Sequence, residues 1–481
     1  MLRRVWTQAR RAIQGDGAPR VLIASNRLPI TAVKDGTSIR FRQSDGGLAS
    51  GLRQVARSWP VRWYGWRGLA SEMHGVQSIE APESESLVAI SLNAEEIAGY
   101  YTQFSNSVLW PALHDLYLAD PPSPNAWHRY VDVNARFADA IRTDLRANDR
   151  VWIHDYHLFL LPRLLRRRAS DDRLPITFFL HTPFPPADKL EAIPQYRALL
   201  EGVLGADVIG FHTQEYATHF LEAARGCGYD AGSDYVLTPR RRVAIRVRPM
   251  GIDAETFARL GSDPAVLREV IRMRSLQKTI LLGVDRLDYT KGIPERMLAF
   301  EALLEHRPQL REKICLVQVA VPSRTDVAAY IDLRAQVESI IERINTRFTT
   351  ATWQPVDYRY GSVDLCTLAA LYRAADVMVV TPFRDGLNLV AKEFVATRVD
   401  GDGVLILSKF AGAAAELHAA LKCDPSRIRE LAQTYYRALT MPLEERRRRM
   451  SEMVRAVSHN GITNWISYFV GQPEAARVIP T

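Results

Sequence analysis

The sequence predicts an α/β protein of two doubly wound domains, each built on a parallel sheet. Three observations lead there. Short apolar runs rich in branched residues alternate with helical stretches, each run closes in a polar turn, and the series restarts after Gly251. Strands that are apolar throughout must be covered on both faces, and the intervening helices supply that cover. A length of 481 residues accommodates two or three domains of about 150 residues.

The first series opens with RVLIASNRLPI at 20–30, apolar, branched and closed by a turn. VWIHDYHLFLLPRLLRRR begins as a strand at 151–153 and continues as a helix, and ITFFLHTPFP at 176–185 and DVIGFHT at 207–213 repeat the strand-then-turn pattern. Pro249 and Gly251 interrupt it. Beyond them TILLGVDRL, ICLVQVAV, VMVVTPF and VLILS form the second series. The expected division is a basic extension at 1–18, an N-terminal domain at 19–250 and a C-terminal domain at 251–457. The stretch 458–481 carries Trp465, Tyr468 and Phe469 at helical spacing and is expected to cross back onto the first domain.

Apolar residues make up 47% and charged residues 24%, which excludes wholesale disorder. No apolar run approaches the roughly 18 residues of a membrane helix, so a soluble chain is expected. The four cysteines, at 227, 315, 366 and 423, include no CxxC pair. That argues against a structural zinc site or a disulfide scaffold and fits the reducing cytoplasm. The start, MLRRVWTQARRAIQGDG, lacks a signal peptide's apolar region and reads as a surface extension, with an organelle transit peptide as the alternative. Net charge is 62 − 54 = +8, which suits nucleic acid, an acidic membrane surface or an anionic small substrate. The basic clusters Arg166 to Arg168, Arg240 to Arg242 and Arg446 to Arg449 are dispersed, and the last follows Glu444 and Glu445 as a solvated helix face would. With neither RNP-type aromatic segments nor zinc-finger spacing, no nucleic-acid partner is expected.

In open parallel sheets, ligands bind beyond the carboxyl ends of the strands, so the polar residues there are the ones to weigh. The first set is Ser25, Asn26 and Arg27, then Asp45-Gly46-Gly47 leading into a helix. Paired glycines let a phosphate approach backbone amides, although the same pattern describes an ordinary helix start. The second set is Arg286-Leu287-Asp288-Tyr289-Thr290-Lys291-Gly292 after the strand TILLGV. Arg286 and Lys291 can converge on a diphosphate, as a planar fork and a mobile point charge; otherwise Arg286 pairs with Asp285 or Asp288 and Lys291 is solvated. The third set, Thr381 to Glu393, follows the strand VMVV. Asp385 and Glu393 are there to accept hydrogen bonds from sugar hydroxyls, with amides of 386–389 free at the helix start. The bland alternative is an Asp385 N-cap and a helix-surface glutamate. His154-Asp155-Tyr156-His157 and His181 follow two further strands, without the spacing of a zinc protease motif. No EF-hand or DxD-like motif lies near the strand ends, so a diphosphate must be neutralised by Arg and Lys, and no metal is expected.

Taken in order, SNRLP, GGLASGL, WYGW, YYTQFSNSVLWP, WIHDYHLFLLP, FFLHTPFP, DRLDYTKGIPER, PSRTDV, RDGLNLVAKEFV and LSKFAGAA resemble the trehalose-6-phosphate synthases of retaining glycosyltransferase family 20. The resemblance covers nearly the whole chain, and no DxDGT-like phosphatase motif accompanies it. It implies the GT-B architecture, two Rossmann-like domains facing a cleft. It also implies transfer of glucose from a nucleotide-glucose, usually UDP-glucose, to glucose 6-phosphate, giving α,α-trehalose 6-phosphate. A cytoplasmic enzyme of trehalose biosynthesis and osmoprotection follows, assembled as a homo-dimer or tetramer, with no cofactor and no metal.

The resemblance also assigns residues. Arg286 and Lys291 match those that hold the donor diphosphate, with Gly46 and Gly47 in the loop over it. Glu393 matches the ribose-binding carboxylate, and Asp385 the contact to donor glucose hydroxyls. Gly386, Asn388 and Leu389 lie near the phosphates, and Leu368 among the donor contacts. His181 matches the histidine at the reacting sugar, and Asp155 an acceptor-hydroxyl contact. Arg27, Tyr101, Trp110 and Arg324 match the acceptor-phosphate positions, with Trp66 lining the same pocket. Read without the resemblance, Tyr101 and Trp110 are aromatics nine apart of a kind common in cores. Departures from the family pattern are the N-terminal extension, Cys423-Asp424-Pro425-Ser426, and Tyr360-Gly361-Ser362. The alternatives are a relative with another acceptor, such as a glucosylglycerol-phosphate synthase or a pseudo-sugar coupling enzyme, and a non-catalytic sugar-phosphate sensor.

Overall fold

Each apolar run named above forms a strand, and in both sheets the central strands run parallel. The computed structural model describes residues 19–471 except 36–37, 44–46, 58, 72–75, 81–84, 117–122, 167–172, 276–277 and 326. The basic extension and the last ten residues therefore lie outside the described residues. The chain divides into two compact units, Met1–Pro249 with Ile462–Thr481, and Met250–Gly461.

The strands of the first unit are β1 (Val21–Arg27), β2 (Ile30–Asp35), β3 (Ser38–Gln43), β4 (Val61–Trp66), β5 (Val76–Glu80), β6 (Glu85–Ile90), β7 (Arg150–His154), β8 (Ile176–Phe179), β9 (Val208–Phe211), β10 (Asp230–Ala231), β11 (Tyr235–Leu237) and β12 (Arg242–Val247). Ten of them form one sheet in the order β10-β11-β12-β9-β8-β7-β1-β4-β6-β5. The run from β12 to β6 is parallel; β5, β10 and β11 add antiparallel edges, and β2 pairs β3 in a separate ribbon. The order reverses at β1, whose Val21 stands opposite Val61 on one side and Arg150 on the other. These edge strands and the ribbon carry no strong apolar run, which is why sequence patterning did not reveal them.

The second unit holds β13 (Thr279–Arg286), β14 (Ile314–Val321), β15 (Val356–Tyr360), β16 (Val377–Val380), β17 (Val404–Ser408) and β18 (Leu421–Cys423). They form a wholly parallel sheet in the order β15-β14-β13-β16-β17-β18, reversing between β13 and β16. Helices Ile293–His306 and Ala328–Phe348 cover one face with Met297, Phe300, Leu304, Val337 and Ile344, all buried completely. One charged side chain, Arg296, is sealed in this core against Asp285 at 2.6 Å, Gln318 at 2.8 Å and Thr381 at 3.1 Å. Buried charge survives only with partners at such distances.

The last described helix, Ile462–Val470, belongs to the first unit, whereas Ser458 to Gly461 stay with the second. It lays Trp465 and Phe469 on the sheet: the Trp465 ring stands 4.8 Å from Trp152 and 4.9 Å from Phe179. Tyr468 faces outward and is half exposed. Gly210 on β9 leaves the room this packing needs, because a Cβ there would meet Phe179 at 2.4 Å and Phe469 at 2.7 Å. Neither ring can move without disturbing the other. Gly210→Ala is therefore expected to destabilise the protein by about 1–3 kcal/mol, whereas Gly226→Ala, with nothing within 4 Å of its Cβ, leaves stability unchanged or slightly raised. Urea titration of the three proteins measures this, and equal midpoints would refute the packing account.

Candidate active site

The first sheet reverses its strand order between β7 and β1, and the residues that follow the carboxyl ends of these strands are brought together there. Arg27 ends β1, and the β1–β4 register shifts between Ala24 and Arg27 so that Arg27 stands opposite Trp66. Such an irregularity re-aims a side chain. Its guanidinium lies 4.1 Å above the Trp66 ring and 5.5 Å from that of Tyr101, and the two rings meet edge-on at 5.4 Å. Aromatic faces hold a cation in place while leaving its N–H groups to other partners. Ser25 and Asn26, grouped with Arg27 by sequence, are instead buried braces. Ser25 accepts from the Trp63 indole at 2.7 Å, and Asn26 from the Tyr100 hydroxyl at 3.0 Å.

Tyr101 sits in a π-helix, Ile97–Leu109, and Trp110 follows directly. The amide of Trp110 bonds Ser105 five residues back, and the Ser107 hydroxyl bonds Thr102 O at 3.0 Å. With about 4.4 residues per turn, residues 101, 106 and 110 lie near one face. Each addresses the short turn Tyr156–Leu158. Tyr101 stacks on His157 at 6.0 Å, Asn106 accepts from the Tyr156 hydroxyl at 3.1 Å, and Trp110 meets the Tyr156 ring at 5.9 Å. That turn is held from behind by the Tyr130 hydroxyl, which donates to Tyr156 O at 2.6 Å.

Asp155 follows β7 with φ of 75° and ψ of 167°, a conformation glycine adopts readily and aspartate only under constraint. Its Oδ1 accepts from the His181 amide at 3.2 Å, joining the ends of β7 and β8. The His181 Nε2 lies 3.1 Å from Nδ1 of buried His154, and both rings lie against Trp465. Burial lowers the His181 pKa to about 3, so the ring is neutral at physiological pH.

In the second unit the corresponding reversal lies between β13 and β16. Arg286, 46% exposed at the end of β13, points its guanidinium to within 3.9 Å of Asp288, which has no exposure at all. Asp288 also accepts from the Thr290 amide and hydroxyl at 3.0 and 2.8 Å, the Tyr330 hydroxyl at 3.0 Å and Arg324 at 3.1 Å. Burial alone would raise its pKa, but Arg324, Arg286 and Lys291 more than offset this and hold the carboxyl well below its usual range. Asp285, the other partner considered for Arg286, is taken by Arg296. Lys291 is not solvated: its ammonium pairs with Asp385 Oδ2 at 2.5 Å, and the Asn388 amide donates to the same oxygen at 3.1 Å. Gly292 then turns the chain at φ +62°, where a Cβ would come within 2.3 Å of Thr381 O.

The helix at 389–397 is capped by Asn388, whose Oδ1 accepts from Ala391 at 3.1 Å, and not by Asp385. Asp385 is instead fixed by backbone bonds to the segment after β17: its amide donates to Phe410 O at 3.2 Å and its carbonyl accepts from Gly412 at 3.0 Å. Gly386 and Leu389 lie on either side of this loop. Glu393 is no surface glutamate. It accepts from the buried Tyr372 hydroxyl at 2.9 Å, and burial raises its carboxyl to about 7, the Tyr372 bond acting against that rise. Leu368 is partly buried one turn before Tyr372 on the same helix, Leu365–Ala374.

Of the expected site residues, Arg27, Trp66, Tyr101, Trp110, Asp155 and His181 gather at the first unit's switch point. Arg286, Lys291, Arg324, Asp385, Gly386, Asn388, Leu389 and Glu393 belong to the second unit's. Gly47 begins the short helix Gly47–Leu52, while Asp45 and Gly46 lie outside the described residues. Sequence reading missed Asp288 as a hub, Tyr330, Tyr372 and the His154–His181 pair. Asp288 carried a signal as a candidate partner for Arg286, and both histidines stood out at strand ends, but nothing in the sequence showed that the two rings pair. Among the described residues no three His, Cys, Asp or Glu side chains come together to hold a metal ion.

Two Rossmann-like units with cationic and carboxylate residues at their switch points suit a ligand carrying phosphate and hydroxyl groups, and comparison with known proteins places them in the GT-B class of glycosyltransferases. The chain matches Glycosyltransferase family 20 over residues 19–474. It is 38% identical over 465 residues to a bifunctional trehalose-6-phosphate synthase/phosphatase of Thermoproteus tenax, covering 94% of this chain and 63% of that protein's length. A solved Escherichia coli trehalose-6-phosphate protein bound with UDP-2-fluoro glucose has a TM-score of 0.86 at 36% identity, over 94% of this chain and 98% of that one. A Burkholderia xenovorans α,α-trehalose-phosphate synthase (UDP-forming), solved with glucose 6-phosphate, has a TM-score of 0.85 at 36% identity, over 94% and 99%. The chain belongs to glycosyltransferase family 20.

The raised carboxyl of Glu393 makes stability depend on pH. From about pH 4.5 to about 7 the folded protein keeps a proton that the unfolded chain releases, so this residue's contribution to stability declines as pH rises through that window. Glu393→Gln keeps the Tyr372 bond and removes the titration. The variant is expected to match the parent near pH 4.5 and to exceed it by about 1–3 kcal/mol at pH 8. Urea titrations across the range decide it; parallel profiles would mean that Glu393 titrates normally.

Proposed function

We propose that this protein is a retaining glucosyltransferase that moves glucose from UDP-glucose to glucose 6-phosphate, giving α,α-trehalose 6-phosphate. The observation that carries this is the cluster at the second unit's switch point, where Arg286 and Lys291 stand beside Asp288 and Asp385 at the carboxyl edge of an all-parallel sheet. A relative named UDP-forming and solved with glucose 6-phosphate, and another solved with UDP-2-fluoro glucose, support the choice of substrates.

In this mechanism the guanidinium of Arg286 and the ammonium of Lys291 hold the donor diphosphate and meet the negative charge that grows on it as the glycosidic bond breaks. The protein's cations carry that charge without a metal. Asp385, already fixed by backbone bonds on both sides, accepts from donor glucose hydroxyls, and Glu393 from the ribose. Gly47, Leu368, Gly386, Asn388 and Leu389 complete the donor contacts. In the first unit Arg27, Tyr101 and Trp110 hold the acceptor phosphate through guanidinium, phenol and indole groups, all suited as donors to it, while Trp66, whose indole N–H is taken by Leu69 O at 2.9 Å, lines the same pocket. Arg324, which the resemblance also assigns to the acceptor phosphate, is held by Asp288. Asp155 takes an acceptor hydroxyl, and His181 lies at the reacting sugar. No Asp or Glu is assigned as nucleophile; retention follows if the acceptor hydroxyl attacks on the face from which the diphosphate departs, and the departing diphosphate takes the acceptor proton. Catalysis is then positioning and charge stabilisation. Four free thiols, at Cys227, Cys315, Cys366 and Cys423, suit the reducing cytoplasm as its compartment.

Nucleotide-diphosphate release tests the assignment, crossing UDP-, GDP- and ADP-glucose with glucose 6-phosphate, glycerol 3-phosphate and no acceptor. Release from UDP-glucose that depends on glucose 6-phosphate, with a non-reducing disaccharide phosphate formed, is the expected result. Activity only with another acceptor identifies a sister specificity, and silence from folded, nucleotide-binding protein identifies a sensor. Arg286→Ala is expected to lower turnover by about two orders of magnitude or more with an unchanged melting temperature. Near-normal turnover in that variant would overturn its role.

A further inference from the structure

His154 has no role in the mechanism above, yet it is completely buried and its Nδ1 lies 3.1 Å from Nε2 of His181. Burial keeps both rings neutral, the nearby His181 adding to the effect at His154. Each ring therefore carries one proton, and one of those protons lies between them. Two arrangements satisfy this.

If His181 donates from Nε2, then His154 accepts at Nδ1 and must carry its own proton on Nε2. That nitrogen is buried with no hydrogen-bond partner among the described residues, and the Trp152 and Trp465 rings lie 4.6 and 6.2 Å from the imidazole. A buried N–H without an acceptor costs the full desolvation of a donor, and such orphans are rarer in folded proteins than unfilled acceptors. If His154 instead donates from Nδ1, its Nε2 presents only a lone pair to the aromatic rings. His181 then accepts at Nε2 and must hold its proton on Nδ1. The second arrangement is the one this pocket favours.

We propose that His154 is a positioning residue that fixes His181 as the Nδ1–H tautomer, so that His181 offers the reacting sugar a hydrogen-bond donor and not an acceptor. The consequence for catalysis rests on the placement of His181 beside the donor sugar; the tautomer itself does not. The ring that results is held on three sides: by His154 at Nε2, by the bond from its own amide to Asp155 at 3.2 Å, and by Trp465 with ring centroids 6.0 Å apart. Choosing a tautomer through the far nitrogen is how a histidine's reacting nitrogen is commonly set.

Two measurements on the full-length protein test this. Ring-nitrogen NMR of protein labelled with 15N-histidine, assigned with His154→Asn and His181→Gln, is expected to show both rings as Nδ1–H tautomers. Finding His181 as Nε2–H would overturn the proposal. In the nucleotide-diphosphate release assay, His154→Leu is expected to lower turnover on the order of tenfold to a hundredfold, with both KM values within about twofold of wild type. His154→Asn, whose amide replaces the Nδ1 donor, is expected to recover most of that loss. A fully active Leu variant, or an Asn variant no better than Leu, would also overturn the proposal. If the Leu variant does not fold, the spectra and the Asn variant decide. If wild type releases no nucleotide diphosphate with any substrate pair, the functional assignment fails while the spectra still settle the tautomer.

Discussion

Parallel pairing is the constraint from which the remaining features follow. Two parallel neighbours cannot be joined by a tight turn, so the chain must cross back over a face of the sheet before it can add the next strand. All the strands of a parallel series then end at one edge, and the residues that follow them in sequence are brought together there from points far apart. Arg286 and Asp385 are almost a hundred positions apart in the chain, yet they end up on either side of the β13–β16 reversal. Arg27 and Asp155 flank the β1–β7 reversal in the same way. At a reversal the crossovers on its two sides pack on opposite faces, which in open parallel sheets leaves room for a ligand at this edge.

The two edges are built from different chemistry. In the first unit one guanidinium stands among aromatic rings and neutral imidazoles. Tryptophan and tyrosine faces place Arg27 without neutralising it, so its charge remains available to an anion. The second unit matches cations to carboxylates. Asp288, without exposure, gathers Arg324, Tyr330 and Thr290 by hydrogen bonds and draws Arg286 to within 3.9 Å. A buried carboxylate with so many donors stays ionised, and removing its buried partner Arg324 costs about 3–5 kcal/mol, whereas half-exposed Arg286 contributes little to stability. Arg324 accordingly holds a backbone conformation, φ 48°, that few non-glycine residues adopt. Lys291 and Asp385 form a similar pair one turn away, so positive charge is abundant at this edge but pinned in place.

Sequence alone revealed the strands that are apolar from end to end, because both faces of those strands are buried and pattern and burial coincide. It named neither β4, β6, β12, β15 and β18, which are short or interrupted by polar residues, nor β5, β10, β11 and the β2–β3 ribbon, where a position at an edge or outside the main sheet relaxes the demand for apolar residues. At the sites, the residues that end strands were legible because topology sends them to one edge. Their supports were not. Tyr372, which bonds Glu393, and Tyr330, which bonds Asp288, occupy ordinary amphipathic helices and look like core tyrosines until the fold points their hydroxyls at a carboxylate. Ser25 and Asn26 failed in the other direction. Polar and next to Arg27, they look like site residues, but they face inward and satisfy the Trp63 indole and the Tyr100 hydroxyl.

Tyr101 and Trp110 show most clearly why spacing must be read against the right helix. At 3.6 residues per turn, positions nine apart lie on opposite sides of an α-helix, and one of the two rings would have to leave the Tyr156–Leu158 turn. In the wider coil of 97–109 the same nine residues make about two turns, and both rings reach that turn with Asn106 between them. A π-helix is intrinsically the poorer coil, so surrounding contacts must select it. Here Asn93 and Glu96 form a capping box on the short α-helical turn Ala94–Glu96 that leads into it, Arg136 holds Glu96, and Tyr100 anchors its inner side to Asn26 on β1. Those contacts involve β1 and the helix Pro124–Asp144 as well as the π-helical segment. The wide coil is therefore a product of tertiary packing, and a local reading of YYTQFSNSVLW could recover the aromatic residues but not the geometry that brings them to one face.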